Sequence, residues 1–208
     1  MIIAIEGIDG AGKNTLTTAL VERIQAAGRS VATLAFPRYD ESIFAELASR
    51  ALYGKMGDLT DSAYGMATMF ALDRRDALPQ LNNYVGQDSC LLLDRYVASN
   101  AAYSVARTRD EHMAQWIADL EFGTFGLPKP DLQVLLSTPV AMAAERAQRR
   151  EATDAARSRD VYESDQDLQA RTAAAYRRLA DNEWGSRWLV VDPGRPVTEV
   201  AEEILQFL

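Results

Sequence analysis

Seven residues near the start of the chain, Gly7-Ile8-Asp9-Gly10-Ala11-Gly12-Lys13, carry more potential chemistry than any other stretch of their length. Glycines at this spacing leave backbone N–H groups free to converge on a polyphosphate. A lysine at the start of the following helix adds charge where the helix dipole already favours an anion. The expected ATP cradle is therefore Gly7, Asp9, Gly10, Ala11, Gly12, Lys13, Asn14 and Thr15. One position departs from the usual pattern. A serine or threonine directly after the lysine ordinarily offers its hydroxyl to magnesium, but Asn14 stands there and Thr15 follows one residue later.

A second candidate is Leu91-Leu92-Leu93-Asp94, an apolar run closed by a carboxylate. Such a strand end places an acidic group near loop phosphates and their metal ion. A third lies between Glu145 and Asp160, where Arg146, Arg149, Arg150, Arg157 and Arg159 gather in an otherwise acidic chain. Phosphoryl transfer spreads negative charge over the moving group, and arginines closing over it accelerate the step by about 10³ to 10⁵. Residues 145–159 are thus the expected lid. A solvated helix pairing these arginines with Glu145, Glu151 and Asp154 is the competing reading for any one of them.

The elements that must hold these groups are legible as alternating runs. Residues 1–6, 31–36, 90–94, 132–137 and 187–191 are nearly continuous in apolar side chains, and longer helical stretches separate them, the first over 15–27. Unbroken apolar strands are covered on both faces, so the expected class is α/β: five buried parallel strands between layers of helices. In such sheets ligands collect at the carboxyl ends of the strands, where Asp9 and Asp94 would both lie.

With 208 residues, 48% of them apolar and 25% charged, the chain is expected to form one globular domain over 1–208. Its net charge of −8 argues against nonspecific binding to nucleic acid. Cys90, the single cysteine, sits in an apolar run and reads as core packing, and the expected setting is the reducing cytoplasm. No apolar stretch is long enough to suggest a membrane segment. His112, the one histidine, reads as a surface residue.

Several motifs together resemble bacterial thymidylate kinases, most closely the actinobacterial ones. They are Glu6 through Lys13, Phe36-Pro37-Arg38-Tyr39, Asp94-Arg95-Tyr96 with Ser99-Asn100-Ala101-Ala102-Tyr103, Gly126 through Asp131, and Arg159-Asp160-Val161-Tyr162-Glu163. The resemblance runs almost end to end. It implies a three-layer P-loop NTPase fold, transfer of the γ-phosphoryl group of ATP to dTMP on the way to dTTP, magnesium as cofactor, and a homodimer. By the same resemblance Phe70 stacks on thymine, Arg74 donates to a ring carbonyl, and Asn100 pairs with the ring amide edge. Tyr103 crowds the 2′ position of the sugar. Arg95 and Tyr39 hold the monophosphate with help from Arg38, while Phe36, Asp9 and Tyr162 complete the pocket. Asp9, Asp94, Asp160 and Glu163 are its metal-side carboxylates. The family places its transfer arginine in the phosphate loop or the lid; no arginine occupies the loop here, so the resemblance makes Arg146, Arg150 and Arg157 of the lid the catalytic groups together with Lys13, Asp9 and Arg95.

Residues 192–195 are a reasonable place for adenine contacts. The helical stretch 111–125, with Met113, Trp116, Ile117, Leu120 and Phe122, offers apolar surface either to a partner or to the chain's own core. Two other functions stay open at this level. A kinase of another nucleotide or deoxynucleoside would share loop and lid, and a nucleotide-dependent regulator would share the loop alone.

Overall fold

Strand β1 (Ile2–Glu6) is buried along its whole length because its alternate side chains feed two different cores. Ile2 and Ala4 join one cluster, and Ile3 and Ile5 the other. The same division holds in β3 (Cys90–Asp94), where Leu91 and Leu93 face one way and Cys90 and Leu92 the other. Each fully buried aliphatic side chain contributes about 1.5–3 kcal/mol, so a strand used on both faces is a stable centre for the sheet.

The computed structural model describes residues 1–153 and 160–208, with side chains described outside 150–159. Its strands form one parallel sheet in the order β2-β3-β1-β4-β5, where β2 is Val31–Ala35, β4 Leu132–Leu136 and β5 Trp188–Val191. Helices α1 (Lys13–Ala26) and α10 (Val197–Leu205) cover one face through Leu16, Leu20, Ile24, Val200 and Ile204. Helices α5 (Val97–Thr108) and α9 (Gln166–Asp181) cover the other through Val97, Ala101, Val105, Tyr176 and Leu179. The expected three-layer α/β architecture is present.

Complete burial holds for β1 and nearly so for β3 and β4, but not for the outer strands. Thr33 and Ala35 of β2 are exposed, and three of the four residues of β5 are only half-buried. An edge strand has a neighbour on one side only, so less of its surface is covered. A smaller cluster joins α2 (Ile43–Leu52) to α3 (Ala63–Asp76) through Ala48, Ala51, Leu52 and Met66, with Phe70 and Tyr162 packed against it. Leu52 of α2 and Met66, Ala67, Phe70 and Arg74 of α3 line a cleft. The remaining described helices are α4 (Leu78–Asn82), α6 (His112–Ala118), α7 (Val140–Thr153) and α8 (Val161–Ser164). A π-helical segment, Asp119–Thr124, continues α6.

Met113 and Ile117 of α6 are buried within the chain, and Trp116 and Phe122 pack against the same core. The stretch read as a possible partner surface therefore spends most of its apolar side chains internally. Cys90 is fully buried and His112 exposed, as expected, and burial pushes the Cys90 thiol up to about 11.

Candidate active site

The turn after β1 is tight: Ala11 N donates to Ile8 O at 3.2 Å, and Gly12 caps α1 in a left-handed conformation with φ 101°. Gly10 is the position where a side chain is least tolerable. Its φ is 80°, and an added Cβ would collide with the Ala143 carbonyl of α7. Helix α1 begins at Lys13, two residues earlier than expected, so the lysine stands at the helix N-terminus itself.

Lys13 folds back over the loop, its Nζ reaching Gly7 O at 3.4 Å and Ile8 O at 3.3 Å. These are long for an ammonium donor, so a phosphate oxygen would replace them at little loss. Burial lowers the Lys13 pKa and the charge of Arg95 adds to the effect, against the pull of Asp9, Asp94 and Glu6.

Arg95, first residue after β3, has φ 66°, an uncommon conformation for a residue other than glycine and one held by its N–H donating to Ile5 O at 2.9 Å. The turn aims its guanidinium back across β1. Nη2 donates to Asp9 Oδ1 at 2.5 Å, and Nη1 donates to Ser99 Oγ at 3.2 Å and Tyr176 OH at 3.3 Å. Tyr103 donates its hydroxyl to the other Asp9 oxygen at 2.8 Å, and the Arg95 guanidinium lies 5.5 Å from the Tyr103 ring centre. Burial would raise the Asp9 carboxyl, but Arg95 and Lys13 outweigh it and hold the group well below the usual carboxylate range.

Behind this cluster lies Glu6, to which the sequence reading gave no role. It is fully buried and accepts from Tyr96 N at 2.9 Å, Ser99 Oγ at 2.7 Å and Tyr176 OH at 3.0 Å. Burial raises its pKa, and the three donors and Arg95 only partly offset the rise. Ser99 and Tyr176 thus bridge Glu6 to Arg95. The only sequence signal was a carboxylate closing an otherwise apolar strand.

At the far end of the cleft Arg74 and Asn100 meet a second unanticipated carboxylate, Glu121. Arg74 donates through Nε at 2.5 Å and Nη2 at 2.8 Å, and Asn100 Nδ2 donates to Glu121 Oε1 at 2.7 Å and to Ala67 O at 3.0 Å. A single cleft of about 690 Å³ is lined by every side chain expected around dTMP: Asp9, Phe36, Tyr39, Phe70, Arg74, Arg95, Asn100, Tyr103 and Tyr162. Asp160, Glu163 and Arg107 line it too. Arg38 does not. Its Nε, Nη2 and backbone N–H all bind Asp73, and Nη2 also reaches Asp76, so it ties the 36–39 loop to α3.

Of the four expected metal-side carboxylates, Asp9, Asp160 and Glu163 line this cleft and Asp94 lines another. Among the described residues no three carboxylate, histidine or cysteine side chains form a group able to hold one ion. Asp9 has both oxygens occupied, and Asp160 Oδ1 caps α8 by accepting from Tyr162 N and Glu163 N. Asp94 is different: its Oδ1 is buried without a hydrogen-bond partner, in a cleft it shares with Asn14 beside the phosphate loop. One orphaned carboxylate oxygen near a phosphate site fits magnesium, which takes most of its ligands from water and nucleotide phosphates.

A separate cleft of about 850 Å³ adjoins the loop and is lined by Ala11, Gly12, Thr15, Arg146, Asp192, Pro193, Gly194 and Arg195. It holds the segment expected near adenine. Arg146 Nη1 comes within 3.8 Å of where a Cβ on Gly12 would stand. Arg149 pairs with Glu145 at 2.6 Å on the exposed side of α7, as a solvated helix would have it. The Arg150 side chain, Arg157 and Arg159 lie outside the described residues, as does the end of the expected lid.

A parallel 2-3-1-4-5 sheet, a glycine-rich loop running into a helix with a buried lysine, and an adjoining cleft with an arginine at one end define a P-loop phosphotransferase. A family model described as thymidylate kinase matches residues 5–204. Thymidylate kinase from Mycobacterium tuberculosis is 51% identical over 97% of both chains. The human thymidylate kinase is 29% identical over 98% of this chain and 87% of its own, and that of Afipia carboxidovorans 32% identical over 97% and 86%. The chain belongs to the thymidylate kinase family, whose reaction passes a phosphoryl group from ATP to dTMP.

Proposed function

We propose that the 690 Å³ cleft is the dTMP site, that the glycine loop and the 192–195 cleft hold ATP, and that the phosphoryl group crosses between them. One observation carries this reading. All nine side chains expected for dTMP share one cleft, in which Arg95 and Tyr103 bind Asp9 of the phosphate loop while Arg74 and Asn100 share Glu121.

In this scheme Lys13 leaves the loop carbonyls for the ATP phosphates, and the loop N–H groups complete the cradle. Arg95, held by Asp9, Ser99 and Tyr176, orients the dTMP phosphate in line with the γ-phosphorus. An oxygen of that phosphate attacks, a new P–O bond forms, and the bond to the ADP oxygen breaks. The attacking oxygen is already ionised at neutral pH, so no strong base is required, and Asp9 serves to orient Arg95 and Tyr103. Arg146, with Arg150 and Arg157 from the lid, neutralises charge on the group in flight. Magnesium, when bound, would be held by Asp94 and Asn14 and would supply charge neutralisation at the ATP phosphates.

Base recognition follows from polarity. Phe36 and Phe70 supply the apolar walls, Arg74 offers a donor to O4, and Asn100 faces N3. Cytosine would set an amino group against the Arg74 donor, at a cost of about 1 to 3 kcal/mol. Tyr103 excludes a ribose 2′-hydroxyl by crowding it. The chain acts as one domain over 1–208, since its described strands share one sheet. It works as a homodimer and in the cytoplasm, the latter supported by a single buried thiol, Cys90. Sedimentation analysis of the purified protein tests the dimer.

The deciding experiment is ADP release with magnesium and ATP, using dTMP, dUMP, dCMP, dGMP, dAMP and thymidine as acceptors. Preference for dTMP supports the assignment. Preference for another acceptor keeps the phosphate site and overturns the base site, and no turnover with any of them removes the reading.

A further inference from the structure

Met113, Ile117 and Glu121 follow one another at four-residue spacing, and all three are buried. Two are core hydrophobes. The third is a carboxylate with 0% exposure, delivered by the π-helical segment Asp119–Thr124. A charge on an inward stripe persists only where its partners compensate for lost hydration, and Glu121 has two such partners, Arg74 at 3% exposure and Asn100 at 5%. Short π-helical turns recur where a helix must present a functional side chain.

Resting on the dTMP reading of the cleft, we infer that Glu121 sets base polarity as a positioning residue, acting through Arg74 and Asn100. It does not line the cleft itself. Both hydrogens of the Asn100 amide are spoken for, one by Glu121 Oε1 at 2.7 Å and the other by Ala67 O at 3.0 Å. Only the carbonyl Oδ1 is left for a ligand. An acceptor there matches the N3–H of thymine or uracil and opposes the bare N3 of cytosine.

Arg74 is constrained in the same way. Its Nε and Nη2 grip the two Glu121 oxygens, which leaves Nη1 and the second hydrogen of Nη2 to donate toward O4. One carboxylate therefore turns both residues to the polarity of a 4-oxo pyrimidine. A glutamine in its place would set an N–H against the Arg74 guanidinium in either orientation, and in one of the two against the Asn100 amide as well, so the hold on Arg74 would be weakened.

The test compares kcat/KM for dTMP, dUMP and dCMP in the unaltered protein and in Glu121→Gln. We expect the dTMP to dCMP ratio to fall by about tenfold or more, as for one misplaced buried hydrogen bond, with dTMP to dUMP kept within about twofold. The second ratio depends on a methyl group and not on polarity. Equal losses with all three acceptors would make Glu121 a purely structural partner and overturn the inference. An unaltered protein indifferent to the base would defeat the dTMP reading itself, and the inference with it.

Should Glu121→Gln fail to fold, the unaltered protein still decides through the Asn100 side-chain amide signals in nitrogen-15 NMR. Both protons should exchange slowly and persist when dTMP is added. Fast exchange, or direct transfer from either proton to the bound base, would overturn the assignment.

Discussion

Tyr103 of α5 donates its hydroxyl to Asp9 of the glycine-rich loop at 2.8 Å, so the cleft proposed for dTMP is hydrogen-bonded to that loop. The other oxygen of the same carboxylate holds Arg95. Asp9 therefore links three elements that must keep register during transfer: the loop after β1, the turn after β3, and α5. This arrangement gives the carboxylate a structural role beside the orienting role proposed for it.

A pH signature follows for Asp9. Its folded pKa is depressed, so its contribution to stability is full above the unfolded value and is lost as pH falls through the carboxylate range and below. Asp9→Asn should be about 1 to 3 kcal/mol less stable at pH 7, and the gap should narrow below about pH 4. Urea unfolding across that range measures it. A gap independent of pH would show that the charge of Asp9 contributes nothing.

Lys13→Ala should lower kcat by about a hundredfold or more with any acceptor, because the ammonium is needed at the transferring phosphates. Its effect on the KM for dTMP should be small. Steady-state kinetics with ATP and dTMP varied separately would check both statements.

Arg146→Ala should reduce turnover while leaving dTMP affinity nearly unchanged, the pattern of a contact made mainly in the transition state. Arg146 already stands beside Gly12. An unchanged kcat would move the burden to Arg150 and Arg157.

Arg74→Gln should raise the dTMP requirement more than the ATP requirement and weaken rejection of dCMP, by about 1 to 3 kcal/mol in selectivity. Because Arg74 also neutralises buried Glu121, the variant should melt at a lower temperature as well. Thermal melts beside acceptor kinetics would separate the two effects, since added dTMP restores stability only in a protein that still binds it.

Much of the site was legible locally. The glycine loop, Asp94 at a strand end and the motif around Asn100 could be marked before any fold was known, because each role depends on near neighbours or on a resemblance carried by short runs. The apolar stretch after Glu111 was less informative. Met113 and Ile117 fall on the apolar spacing, yet the same four-residue step leads to Glu121, a buried carboxylate that a search for apolar residues passes over.

The sequence by itself determined the class of sheet and the phosphate loop, since apolar runs, glycines and a helix-starting lysine act through the backbone within a few residues, and its short motifs carried the resemblance to the family. Tertiary structure alone decided how the polar interior is paired. Glu6 meets Tyr176 across 170 residues, and Glu121 meets Arg74 across 47 and Asn100 across 21. Such partners are chosen by how α3, α5, α9 and the π-helical segment pack around the sheet. A buried carboxylate must find donors wherever that packing brings them, and sequence spacing does not encode the distance between them.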